Sequence, residues 1–173
     1  MRIGYVMAPG QGETDRLILG VARRLMASGL RICGTVQVSS ERGDGQSCDM
    51  DVVVLPDGPV IRISQARGRE ARGCRLDPRA LEDAVGLVMT RFGQGADGLI
   101  VNKFGKHEAE GRGFRDLIGE ALAQGVPVLV GLNALNRDAF MDFADGLAEA
   151  LPASEAALVE WFREGRVPAA GEV

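Results

Sequence analysis

The chain has 173 residues, 46% apolar and 25% charged, which reads as one domain over residues 1–164 with a frayed tail over 165–173. A chain of this length buries roughly 70% of the surface its unfolded form exposes, so disorder, collagen-like repeats and a small disulfide scaffold are excluded. A membrane span is excluded because no uncharged apolar run nears about 18 residues, and the net charge of −4 argues against a dedicated nucleic-acid binder.

In chain order, residues 2–7 form a short apolar run stopping at Ala8-Pro9-Gly10-Gln11-Gly12, which predicts a buried strand opening into a glycine-containing loop. Thr14 or Asp15 is then the cap of a helix with Leu17, Ile18, Val21, Ala22 and Leu25 at helical spacing, ended by Gly29. Residues 30–38 read as a second strand and 39–49 as a polar loop. Val52–Leu55 and Val60–Ile63 flank Pro56-Asp57-Gly58-Pro59, the clearest hairpin signal in the chain. An arginine-rich stretch ends at Asp77-Pro78, an Asp cap with Pro at the first helical position. The helix that follows carries Leu81, Ala84, Val85, Val88, Met89 and Phe92 on one face and stops at Gly93 and Gly95. Residues 97–101 read as a buried strand, 102–113 as a loop, 114–123 as a helix and 126–131 as a strand. Helices are expected over 136–151 and 154–163, the second capped by Ser154. Trp161 and Phe162 read as exposed there, which makes a homo-oligomer an expectation.

This order predicts an α/β three-layer domain with a mainly parallel sheet and an inserted β-hairpin. In such folds ligands sit outside the C-terminal ends of the strands, which singles out the loops 8–15, 102–113 and 131–137.

The first loop has the position and glycine content of a phosphate-binding turn, but a P-loop needs G-x-x-x-x-G-K-S/T. Here the lysine is absent and Glu13 and Asp15 add negative charge, so an ordinary strand-to-helix turn stays open beside the binding reading. The second loop, Asn102 to Arg115, holds both lysines of the chain (Lys103 and Lys106) and its one histidine, His107. Gly105, Gly111 and Gly113 let the backbone curl around a ligand. Cations beside a helix N-terminus at a sheet edge make a candidate oxyanion site, with Arg112 a further cation. Glu108 or Glu110 is a candidate to hold a metal ion or orient water. The bland alternative is a charged surface loop whose ion pairs contribute little, with His107 at the surface or supporting a neighbour. Arg62, Arg67, Arg69, Arg72, Arg75 and Arg79 suit bidentate phosphate or carboxylate binding, or a solvated face. Of the three cysteines, Cys33, Cys48 and Cys74, the last two are candidates for a soft metal or a redox pair, or are incidental thiols. An odd number without C-x-x-C spacing fits a cytoplasmic chain.

Several of these motifs resemble an uncharacterised bacterial family of NTPase-like domains. They are G-T-V-Q at 34–37, C-D-M-D at 48–51, the hairpin with Leu55 and Gly58, C-R-L-D-P at 74–78 and, most specifically, N-K-F-G-K-x-E-A-E-G-R-G at 102–113. The family is often associated with molybdenum-transport genes, which implies a role near molybdate or the molybdenum cofactor and partners among those proteins. More distantly the layout is similar to the thermophile-type nucleoside-triphosphatases of the P-loop class. That resemblance implies a P-loop-NTPase-like, Rossmann-like fold, with Gly10, Gln11, Gly12 and Thr14 in the phosphate loop and Asn102-Lys103 in place of an Asp-Glu pair. Gly105, Lys106 and Glu108 match the rest of the signature, and a nucleotide with Mg²⁺ is the ligand it implies. An amide is a poor Mg²⁺ anchor and a lysine cannot orient water as a carboxylate does.

The leading expectation is therefore a nucleotide- or small-oxyanion-binding protein with a degenerate P-loop-like site and little or no hydrolysis. Its ligand-binding residues are Gly10, Gln11, Gly12, Thr14, Asn102, Lys103, Gly105, Lys106 and Arg112. The alternative is a nucleoside triphosphatase or phosphotransferase in which Lys103 and Lys106 replace the usual lysine and Glu108 is metal ligand or base. A third reading is a metal or cofactor carrier built on Cys48 and Cys74.

Overall fold

Side chains alternate across the short apolar strands, so each strand feeds two opposite cores. The computed structural model describes residues 1–40, 49–65 and 75–165. Its strands are β1 (Ile3–Val6), β2 (Ile32–Ser40), β3 (Asp49–Leu55), β4 (Val60–Arg62), β5 (Ser64–Gln65), β6 (Arg75–Leu76), β7 (Gly98–Val101), β8 (Val128–Gly131) and β9 (Ala148–Ala150). Its helices are α1 (Glu13–Ala27), α2 (Pro78–Phe92), α3 (Lys106–Ala109), α4 (Arg115–Ala123), α5 (Arg137–Ala144) and α6 (Glu155–Glu164), with a 3-10 turn at Ala134–Asn136. Seven strands form one sheet in the order β4-β3-β2-β7-β8-β1-β9, while β5 and β6 pair separately. The links β2–β7, β7–β8, β8–β1 and β1–β9 are parallel. The hairpin β3–β4 adds two antiparallel links at one edge. This is the α/β architecture the element order predicts.

On one face α1 and α6 lay Ile18, Val21, Leu25, Leu158, Trp161 and Phe162 over Val6, Ile32, Ile100 and Leu129. On the other, α2, α4 and α5 lay Leu81, Val85, Leu117, Ile118 and Phe140 over Ile3, Val52, Leu99, Val101 and Val130. Each such burial stabilises by about 1.5–3 kcal/mol relative to exposure. At α2 the predicted cap forms, with the Asp77 carboxylate accepting from the N–H groups of Arg79 and Ala80 and Pro78 opening the helix.

Four sequence expectations change. The helix expected over 136–151 ends at Ala144, because Asp145 (φ 46°) and Gly146 (φ 79°) turn left-handed and send Ala148–Ala150 along β1 as an edge strand. Trp161 and Phe162, expected exposed, are 5% and 1% exposed. Gly98 has no side chain where Phe162 lies, and a Cβ there would strike the ring; a Cβ at Gly4 would strike Leu151 and crowd Trp161 at 3.0 Å. The two rings therefore offer no surface for an oligomer. Gly12, not Thr14 or Asp15, is the cap of α1, in a left-handed conformation. The loop 102–113 contains a single helical turn, α3. The expectations for Cys48, Cys74, Arg67, Arg69, Arg72 and the tail from 166 lie outside the described residues.

Candidate functional site

The three loops singled out by the topology meet in one cleft of about 760 Å³ at the C-terminal edge of the parallel strands. Close backbone contact positions them. A Cβ on Gly131 would overlap the Asn102 carbonyl, and one on Gly34 would overlap that of Ile100, so the strands β2, β7 and β8 are drawn together where the loops leave. The Phe104 N–H donates to the Gly131 carbonyl at 2.9 Å and the Leu132 N–H to Val6 at 3.1 Å. Phe104 is buried edge-on against Phe140 at 5.2 Å, so its neighbours Lys103 and Gly105 face the cleft.

The first loop turns on Gly10 (φ 97°) and Gly12 (φ 74°), conformations that favour glycine. No side chain caps α1, whose first turn borders the cleft at Gly12, Thr14 and Asp15. The Thr14 hydroxyl accepts from the Ala8 N–H at 3.0 Å, closing the loop on itself.

Asn102 is 4% exposed. Its Oδ1 accepts from the Gln37 N–H at 2.9 Å, and its Nδ2 donates to Asp15 Oδ1 at 2.9 Å. It thus ties β7, β2 and α1 together, and a buried amide with both ends satisfied is in its cheapest state. Lys103 lines the cleft and, among the described residues, its ammonium has neither a hydrogen-bond nor an ion-pair partner. Lys106 also lines it and pairs loosely with Glu110 at 3.7 Å.

Glu108 is 2% exposed. Its Oε2 accepts from the Gly105 N–H at 2.9 Å, a helix-start contact from the third helical position. Its Oε1 accepts from the Phe114 N–H at 3.4 Å. Burial pushes its carboxyl above the usual range against the pull of these donors and of His107. His107, read from sequence as a surface or supporting residue, is 5% exposed and supports. Its Nε2 lies 2.7 Å from Glu82 Oε1, which also accepts from the Gly113 N–H at 2.8 Å. Burial raises the Glu82 carboxyl, but the Gly113 and His107 contacts outweigh it and hold the group below the ordinary range.

Of the residues expected from sequence, Gly10, Gln11, Gly12, Thr14, Asn102, Lys103, Gly105, Lys106 and Glu108 line this one cleft. Arg112 does not; it pairs with Glu110 at 2.7 Å. Sequence reasoning missed Glu82, 25 positions from His107, because nothing local marks a helix glutamate as the partner of a distant loop. Neither Asn102 nor Glu108 is free to hold a metal ion: both polar atoms of Asn102 are taken, and both Glu108 oxygens face backbone donors.

Residues 3–161 match the family model described as "protein of unknown function (DUF2478)". The chain belongs to that family. It is also 33% identical over 163 residues to the molybdenum import ATP-binding protein ModC 2 of Bradyrhizobium diazoefficiens. The alignment takes in 94% of this chain but only 18% of the relative's length. Among solved structures, THEP1 from the hyperthermophile Aquifex aeolicus is similar in fold, with a TM-score of 0.62 at 17% identity over 95% of this chain and 96% of that one. No helix among the described residues is long and apolar enough to cross a membrane.

Proposed function

We propose that the cleft binds a nucleotide or a small oxyanion and turns it over slowly or not at all. The observation that carries this reading is that Lys103, without a partner among the described residues, lines the same cleft as the uncapped first turn of α1. Orphan N–H groups and the positive end of a 15-residue helix attract anions, and a cation beside them strengthens the hydrogen bonds a phosphoryl or metallate oxygen would accept. A volume of about 760 Å³ accommodates a ligand of nucleotide size.

Slow turnover follows from which groups are committed elsewhere. Phosphoryl transfer relies on a phosphate-neutralising lysine, a held metal ion and a group that orients the nucleophile. Here Glu13 follows the loop glycine where a P-loop has lysine, Asn102 is engaged by Gln37 and Asp15, and Glu108 holds backbone. Glu108 is on this reading a positioning residue, with Lys103 and Lys106 the ligand-binding cations. Similarity to part of a molybdenum import ATP-binding protein supports molybdate among the candidate oxyanions and a transport ATPase among the candidate partners. A cytoplasmic location, where nucleotides are abundant, is part of this proposal.

Calorimetric titration with ATP, GTP, ADP, molybdate, tungstate and sulfate, each with and without Mg²⁺, tests the proposal alongside a phosphate-release assay. Saturable binding with release at background is the expected result. Turnover that disappears in Lys106→Ala and Glu108→Gln would replace it with the nucleoside triphosphatase, and no binding at all would end it.

A further inference from the structure

His107 has a ring nitrogen that the fold leaves unused. The residue borders the cleft together with Lys103 and Lys106, although it is only 5% exposed. Its Nε2 lies 2.7 Å from Glu82 Oε1, which also accepts from the Gly113 N–H. Glu82 is held below the ordinary carboxyl range, so near neutral pH it is a carboxylate, which can only accept. The hydrogen of a neutral His107 ring therefore sits on Nε2, and Nδ1 carries a bare lone pair. Nδ1 has no hydrogen-bond partner among the described residues, and none of their buried side-chain nitrogen or oxygen atoms lacks one. Nδ1 is accordingly open to solvent, and the cleft is the space that His107 borders.

We infer that His107 is a proton-dependent ligand of the anion: binding draws a proton onto Nδ1, and the new N–H donates to an anion oxygen. The inference rests on the anion-binding reading above and adds to it a binding residue and a dependence on pH. A neutral ring turns a lone pair toward the anion and repels it. An imidazolium offers a hydrogen and a charge, and such charge-assisted bonds are about twice as strong as neutral ones. By linkage, an anion that prefers the protonated ring binds more tightly as pH falls. Glu82, whose side chain is 47% exposed, neutralises the buried cation while keeping water on its own far side. Glu108 and Glu110 also favour the cation, whereas Lys106, Arg112 and Arg115 oppose it. Glu108 spends both oxygens on backbone N–H groups and Glu110 pairs with Lys106 and Arg112, so Glu82 is the carboxylate in contact with the ring.

His107 is the one histidine of the chain, so its imidazole proton resonances stand alone in an NMR spectrum. The test adds sulfate, molybdate or ATP to the wild type at about pH 7 and follows those resonances, then measures affinity by calorimetry from about pH 8 to about pH 6 for the wild type and His107→Gln. Glutamine keeps an amide donor for Glu82 but takes up no proton, and comparing the two chains cancels any titration of the probe itself. The expected result is that the bound anion moves the resonances toward their imidazolium positions. Wild-type affinity relative to His107→Gln should rise about fivefold or more over that interval. Resonances that stay in place when the anion saturates, a result that needs only the wild-type chain, would overturn the inference and leave anion binding standing. An identical pH dependence in the two chains would do the same. If none of the three probes binds, both readings fall together.

Discussion

The Asn102 amide donates to the Asp15 carboxylate at 2.9 Å while accepting from the Gln37 N–H at the same distance. An amide can do both; a carboxylate can only accept. Asparagine is therefore fitted to this position beside Asp15, and the residue whose identity weakens metal chemistry is the one that joins β7 to α1 and β2.

Asn102→Asp should destabilise the fold near neutral pH by about 1–3 kcal/mol, since it loses a donor and sets two carboxylates face to face. Like-charge contact raises the folded-state pKa of the pair, so the penalty is present above that pKa and relieved as pH falls through it. Chemical denaturation of the variant at neutral and mildly acidic pH reads both effects. A variant as stable as the wild type at neutral pH would mean that Asp15 is not held as described.

The two carboxylates that bind the 105–114 segment should respond to pH in opposite directions. Glu82 is held below its ordinary pKa, so its contribution is present above the unfolded pKa and lost as pH falls through the folded one. Glu108 is raised by burial, so its ionised form costs stability above the folded pKa, and that cost is relieved as pH falls. The wild type's stability advantage over Glu82→Gln should shrink on acidification, and its advantage over Glu108→Gln should grow. Parallel pH profiles for the two variants would contradict the assignment.

Gly131→Ala should destabilise by about 1–3 kcal/mol, because the added methyl meets the Asn102 carbonyl backbone, which cannot swing aside as a side chain would. It should weaken ligand binding as well, since that carbonyl begins the loop bearing Lys103. Gly125→Ala, at a positive φ of 75° but with nothing near its Cβ, is the control: it strains the backbone without touching the cleft and should leave affinity unchanged. Thermal melting and titration of both variants separate the two effects.

Much of this architecture is legible in the sequence because its signals are local. Asp77-Pro78 marks a helix start, Asp57-Gly58 a hairpin, and Gly10 to Gly12 a loop after an apolar strand, and each is found where its chemistry places it. The convergence of loops 8–15, 102–113 and 131–137 follows from strand direction alone. What stayed hidden depends on long-range contact. β9 is three residues long at a sheet edge, so the Ala-Glu-Ala alternation of Ala148–Ala150 is too short to stand out from apolar neighbours that mimic a helix. The burial of Trp161 and Phe162 is decided by missing side chains at Gly4 and Gly98, far along the chain. The burial of His107 and Glu108 within a charged loop is decided by Glu82 and by backbone donors that only the fold brings near.

The most direct measurement is thermal melting of the wild type and Lys103→Ala with and without saturating ATP, tripolyphosphate and molybdate. Lys103 is exposed and without a partner among the described residues, so the substitution alone should move stability by no more than about 0.5 kcal/mol. A ligand at about 100 times its dissociation constant adds about 2.7 kcal/mol, a shift of several degrees. At least one of these anions should shift the wild type, and the shift should fall sharply in Lys103→Ala. A ligand shift undiminished by the substitution, or no shift with any of the three, would contradict anion binding in this cleft.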